Sequence, residues 1–171
     1  KHIIESFEPN PYLPITISFD FNVSPMTAIV GQEVSETRFV VFDELKIQEG
    51  SVEEMCELIK AKYFGWHYNM KITGDATGYN REKVRRGNIN SYMMIKEELS
   101  LNDREILVKS KNPENKDARI LCNAVLQHAQ FQVTKNCVDT IDDMVYGAIE
   151  TKSSGKIEII KTDEKGRHFM D

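Results

Sequence analysis

The sequence predicts an α/β fold around one mixed sheet whose first three strands are antiparallel. Two observations carry this. Three strand-like runs, residues 15–21, 26–32 and 38–45, are joined by connections as short as "NVSP" and "EVSE", the length of hairpin turns. After them, stretches with helical spacing alternate with short apolar runs, the pattern of crossover connections with helices on both faces of the sheet.

In the first run Ile15, Ile17, Phe19 and Phe21 alternate with Thr16, Ser18, Asp20 and Asn22, so a period of two places Asp20 on the polar-phase face. "SVEEMCELIKAKYF" puts Val52, Met55, Cys56, Ile59 and Tyr63 on one helical stripe, with Ser51 as N-cap and Glu53 and Glu54 in the first turn. Residues 70–75 read as a strand entering a Gly/Thr-rich loop, 91–99 as a helix and 105–110 as a strand. Residues 115–129 read as a helix, 131–134 as a strand, and 138–149 as a helix with Val138, Ile141, Val145 and Ile149 inward. "KIEIIKTDEKG" has the form of a hairpin arm. The opening, with Pro9, Pro11 and Pro14, is excluded from helix and central strand and reads as a linker, leaving residues 15–171 as one domain.

At 171 residues and 40% hydrophobic content the chain can bury one sizeable core. A formal net charge of −5, from 22 Lys and Arg against 27 Asp and Glu, argues against a surface that grips nucleic acid by overall charge. It leaves room for a local basic strip or a cation site. Cys56, Cys122 and Cys137 form no CxxC pair, so neither a disulfide framework nor a zinc ribbon is expected, and the compartment is read as reducing. No apolar run approaches the roughly 20 residues that span a bilayer, and no signal peptide is evident, so a soluble intracellular protein is expected.

Asp20 lies near the end of the first run and Asp75 at the end of the fourth. A meander followed by a crossover helix lets the fourth strand lie parallel to the first and beside it, bringing both carboxylates to one sheet edge. Adjacent carboxylates repel, which raises one pKa or calls for a cation between them. Oxygen-only ligands favour Mg2+ or Mn2+. Taken singly, Asp20 is also compatible with a hairpin-edge aspartate and Asp75, in "TGDATG", with an ordinary turn. "GRHFMD" sets His168 and Asp171 three residues apart, one helical face if helical, a spacing equally at home in an exposed ion pair.

"ISFDFNVSPMTAIVGQ", "VVFDEL", "GDATGYNR", "KNPENKDARILCNAVLQ", "NCVDTIDDM" and "GRHFMD", in this order, resemble the nuclease domain of tailed-bacteriophage terminase large subunits. The resemblance runs from about Ile15 to Asp171 and implies a ribonuclease H-like fold. It implies an endonuclease that uses two divalent cations, Mg2+ or Mn2+, to cut concatemeric viral double-stranded DNA during packaging. It matches Asp20, Asp75 and Asp171 to that family's metal ligands, and His168 to a histidine that some members place three residues earlier. On the chemistry of a two-ion site, Asp20 is expected to bridge and Asp75 and Asp171 to flank, with His168 ligating, orienting water or moving a proton.

No stretch fits the phosphate-binding loop G-x-x-x-x-G-K-[ST], so the family's ATPase motor is not expected in this chain, and residues 1–14 would be the tail of a linker from it. The resemblance also implies the portal and the small terminase subunit as partners, and residence in the bacterial cytoplasm with transient attachment at the procapsid portal. Two alternatives stay open: a resolvase or transposase type of ribonuclease H-like nuclease, and a non-catalytic DNA-binding or assembly module.

"GYNREKVRRGN" is the densest basic stretch, and Arg81, Lys83, Arg85 and Arg86 are expected to contact the DNA backbone, with Lys109, Lys111 and Lys116 extending the strip. Asp142 and Asp143 are placed on the solvated side of their helix, and Asp43 and Glu44 are read as capping or supporting groups rather than ligands. Trp66 and His67 are read as packing at a helix end. Cys122 and His128, six apart, do not share a helical face for a metal.

Overall fold

A computed structural model describes residues 2–22, 24–66, 69–80, 89–146, 148–151 and 157–160. Strands β2 (Ile15–Asp20), β3 (Met26–Ser35) and β4 (Arg38–Ile47) form the expected antiparallel meander. Three strands add to it in parallel: β5 (Met70–Gly74) beside β2, β6 (Gln130–Thr134) beside β4, and the two-residue β1 (Ile3–Ile4) beside β6. The six-stranded order is β1-β6-β4-β3-β2-β5, and β7 (Ala148–Thr151) and β8 (Ile157–Ile160) make a separate hairpin.

The sheet is covered on both faces. Ile15, Ile17 and Phe19 of β2 and Ile72 of β5 pack against Met55, Cys56 and Ile59 of α1 (Val52–Lys62) and Ile95 of α2 (Ser91–Glu98), all buried. Full burial of each large aliphatic side chain contributes about 1.5–3 kcal/mol. Ser51 caps α1 as expected, in a reciprocal capping box with Glu54. On the opposite face Val41 and Val133 meet Cys137, Ile141 and Met144 at α4 (Val138–Tyr146), while α3 (Asn115–His128) lies over the polar-phase side of β2 and β3 without burying any of its residues.

The opening segment is held onto this domain. Its edge strand β1 is compatible with the prolines that follow. The buried Gln32 carboxamide accepts from the Asn10 N–H at 2.8 Å and donates to the carbonyls of Asn10 and Leu13, and the Trp66 indole N–H donates to Leu13 as well. Trp66 is therefore a packing residue, in agreement with the sequence; His67 lies outside the described residues.

Two expectations are corrected. Residues 105–110 do not form a strand: a 3-10 helix, Asp103–Glu105, leads to a single parallel bridge, Ile106 with Ile72. Ile106 and Val108 pack against the core and the Leu107 N–H donates to the Ile72 carbonyl at 2.7 Å, but the pairing with β5 stops at that one bridge. The last helix ends at Tyr146 and is rotated from the predicted stripe, leaving Val138 and Val145 56% and 60% exposed. Thr140 and Asp143 turn inward instead, so Asp143, placed on the solvated side by the sequence, is buried; Asp142 is exposed as expected. The cause is Glu44. Its carboxylate accepts from the N–H groups of Asp139 and Thr140 and from the Thr140 hydroxyl at 2.8–3.0 Å, pinning the first turn of α4 to β4.

Glu44 is thus the capping group that the sequence suggested, supplied from another strand. Asp43 is also structural, accepting from the Lys62 ammonium at 2.6 Å and from the Tyr63 hydroxyl. Glu44→Ala leaves the Thr140 hydroxyl and two helix N–H groups without their acceptor, and should lower stability by about 1–3 kcal/mol in urea unfolding. An unchanged midpoint would remove Glu44 from the account of how α4 docks.

Candidate metal centre

Pairing of β2 with β5 sets Phe19 opposite Gly74, so the next residues along the two parallel strands are Asp20 and Asp75. The crossover expected from the sequence has brought the two carboxylates to the same end of neighbouring strands. Gly74 permits the close approach. It has φ +147°, and a Cβ there would lie 2.3 Å from the Phe19 carbonyl oxygen. The Asp75 N–H bonds that same carbonyl at 3.3 Å.

Beyond Asp75 the chain turns into a 3-10 helix, Ala76–Tyr79, capped by the Asp75 carboxylate, whose Oδ1 accepts from the Thr77 N–H at 2.7 Å. Gly78 lets this turn sit against the rings of Phe21 and Tyr92. The Tyr92 hydroxyl donates to the Asp75 carbonyl at 2.8 Å. Burial, and then the Asp75 carboxylate nearby, push the Tyr92 phenol above its usual range, so it stays a donor through neutral pH. A second bond to Asp75 Oδ1, at 2.6 Å, comes from the Asn112 carboxamide, which also accepts from the Ala76 N–H at 2.8 Å. On Asp20, Oδ2 accepts from the Asn22 carboxamide at 2.6 Å.

Asp20 and Asp75 line an open cleft of about 540 Å³ between the sheet and α3, with Ser18, Thr27 and Thr73 on the sheet side and Asn115, Ala118, Leu121 and Cys122 on the helix side. Cross-strand register continues the row from Asp20 to the buried Thr27 and on to Lys46, which pairs with Asp139 at 2.9 Å. The other two thiols stand apart from this chemistry. Burial pushes Cys56 up to about 12 and Cys137 up to about 11, so both remain protonated.

Of the residues singled out from sequence, the structure brings together Asp20 and Asp75. His168 and Asp171 lie outside the described residues, as do Arg81, Lys83, Arg85 and Arg86. Among the described residues no group of three His, Cys, Asp or Glu side chains is placed to hold a metal ion. Asn112, Asn22 and Tyr92 are contacts that sequence reasoning missed. The available signal for Asn112 was its place before Pro113, in a segment that cannot begin a helix until it has passed the proline.

No protein-family model and no curated relative matches the sequence. Solved structures do match the fold. The large terminase nuclease of the thermophilic phage G20c aligns over 97% of this chain and 87% of its own, with a TM-score of 0.61 at 13% identity. The fold is that of a terminase nuclease domain. The nuclease domain of the bacteriophage SPP1 large terminase, solved with bound Mn, aligns over 94% of this chain and 87% of its own, with a TM-score of 0.57 at 12% identity. A large terminase from a thermophilic bacteriophage, in complex with ADP, gives a TM-score of 0.67 at 14% identity. It is covered over 94% of this chain but only 38% of its own length, so the chain spans well under half of that protein.

The terminase-nuclease fold is ribonuclease H-like, and the mixed sheet with helices on both faces agrees with the architecture expected from the sequence. The donor set also fits a hard divalent cation. Asp20 and Asp75 offer carboxylate oxygens at adjacent strand ends, and Asp75 Oδ2 has no hydrogen-bond donor among the described residues.

Proposed function

We propose that this chain is a metal-dependent DNA endonuclease of the terminase type, cutting concatemeric viral double-stranded DNA during genome packaging. The observation that carries the reading is the pair Asp20 and Asp75, side by side at parallel strand ends and open to a cleft, in a domain whose fold is shared with terminase nucleases. Asp20 and Asp75 would hold Mg2+ or Mn2+, with Asp171 and His168 completing the set. Two such ions supply activation of a water and neutralisation of charge on the leaving 3′ oxygen. The terminase nucleases of SPP1 and G20c have been solved with Mn, Mg and Co bound, which supports a divalent cation here.

The chain's own part is to orient the carboxylates and to place DNA. Lys46, Lys60, Lys62, Lys71, Lys96 and Lys135 are all engaged in ion pairs, whereas Lys109, Lys111 and Lys116, around the cleft-lining Asn112 and Asn115, have none among the described residues. With Arg81, Lys83, Arg85 and Arg86 following the Asp75 turn in sequence, they would bind phosphates without reading bases. Residues 1–14 would lead from an ATPase motor domain in the intact polypeptide. The portal and small subunit would be its partners on the packaging machine.

The test is incubation of the chain with supercoiled plasmid in Mn2+ or Mg2+. Nicking and linearisation, abolished by EDTA, are expected. No cleavage in either ion would favour a DNA-binding or assembly module, and preferential cutting of four-way junctions over duplex would favour a resolvase.

A further inference from the structure

The proposed site depends on how Asp75 presents its carboxylate, and the structure assigns that task to Asn112. Thirty-seven residues from Asp75, the Asn112 side chain closes a two-bond fork on the Asp75–Ala76 unit: Nδ2 donates to Asp75 Oδ1 at 2.6 Å, and Oδ1 accepts from the Ala76 N–H at 2.8 Å. A carboxamide offers a donor and an acceptor from one planar group, without depending on pH. The neighbouring backbone N–H of Ala76 determines which end faces which partner, so the amide nitrogen must point at the carboxylate.

The consequence is an asymmetric carboxylate. Oδ1 already accepts from Thr77 N–H and Asn112 Nδ2, while Oδ2 accepts from none of the described residues. The fork clamps rotation of the carboxylate and leaves one oxygen for a cation, in a cleft that Asn112 itself lines. Nothing else in the segment substitutes for it. Pro113, the next residue, has no N–H to offer. Asn112 is therefore a positioning residue for the metal ligand Asp75, acting through it without touching substrate. This role rests on the metal-nuclease reading of the same cleft.

The experiment compares Mn2+ affinity, by titration calorimetry and by the free-ion signal in electron paramagnetic resonance, for the wild-type chain, Asn112→Leu and Asn112→Ser, with a thermal melt of each. Leu keeps the shape without the polar ends, and Ser is too short to reach both partners. Groups that orient a metal ligand typically contribute about 10–100-fold to affinity. Both variants should therefore lose at least about tenfold in Mn2+ affinity. In plasmid nicking they should need correspondingly more Mn2+ while approaching the wild-type rate at saturation.

A residue that merely staples the loop would lower the melting temperature and leave the Mn2+ affinity of the folded protein unchanged, which overturns the assignment. Wild-type binding of Mn2+ with equal affinity in both variants sinks the role of Asn112 and leaves the nuclease reading standing. Absence of Mn2+ binding by the wild type sinks both.

Discussion

Asp20→Asn is expected to abolish metal-dependent nicking while leaving the melting temperature unchanged or raised. Asparagine is isosteric with aspartate and can still accept from the Asn22 carboxamide, so the end of β2 keeps its local hydrogen bond. What it removes is a negative charge. Metal-held transition-state stabilisation is worth several kcal/mol, and at about 1.36 kcal/mol per tenfold the rate should fall at least about 100- to 1,000-fold. Relief of repulsion from Asp75 offsets any small packing loss, the usual trade between stability and function at a charged site.

Asp75→Asn should be at least as severe, for a geometric reason. Thr77 N–H and Asn112 Nδ2 both demand an acceptor at the Oδ1 position. The new amide must turn its oxygen there and its nitrogen, a donor, toward the place of the cation. Nicking by either variant at the wild-type rate would remove the carboxylate pair from the mechanism.

Gly74→Ala should instead damage fold and activity together. The new Cβ would lie 2.3 Å from the Phe19 carbonyl oxygen and 3.0 Å from its nitrogen, both backbone atoms of β2, at a φ of +147°. Neither can yield without parting β2 from β5. Backbone strain of about 1–3 kcal/mol and a similar overpacking cost imply a loss of about 2–6 kcal/mol, read as a lower urea midpoint. Because the strand pairing also sets Asp75 beside Asp20, nicking should fall below what the unfolded fraction explains. Gly65→Ala is the control: a Cβ there meets nothing within 4 Å, and stability should stay within about 0.5 kcal/mol. A Gly74→Ala protein as stable as that control would mean that the strands are not held together as described.

The meander and α1 were legible because their signals are local. Alternation in "ITISFDF" and the Ser51–Glu54 box each occupy a few residues, and tertiary contacts reinforce them. The Asp20–Asp75 pairing was legible one step further out, because handed crossover topology leaves few places for β5. The rotation of α4 was not. Its apolar residues permit more than one stripe, and the choice falls to Glu44, 96 residues before Thr140. The strand expected over 105–110 was not legible either: Ile106 and Val108 pack inward as a strand would place them, yet pairing with β5 stops at the single bridge to Ile72, which local alternation does not reveal.

By itself, then, the sequence determined the order and type of the meander, of the four helices and of strands β5 and β6, the face on which Asp20 lies, and a resemblance whose fold the structure shares. Tertiary structure alone decided the rest: that Asn112 orients Asp75, that Asp143 is buried, and that the opening segment joins the sheet at β6. The division has a physical basis. Periodicity and caps are written within one or two turns of chain, whereas a single hydrogen-bonding group brought from a distant segment chooses among packings that the local pattern leaves nearly equal in energy.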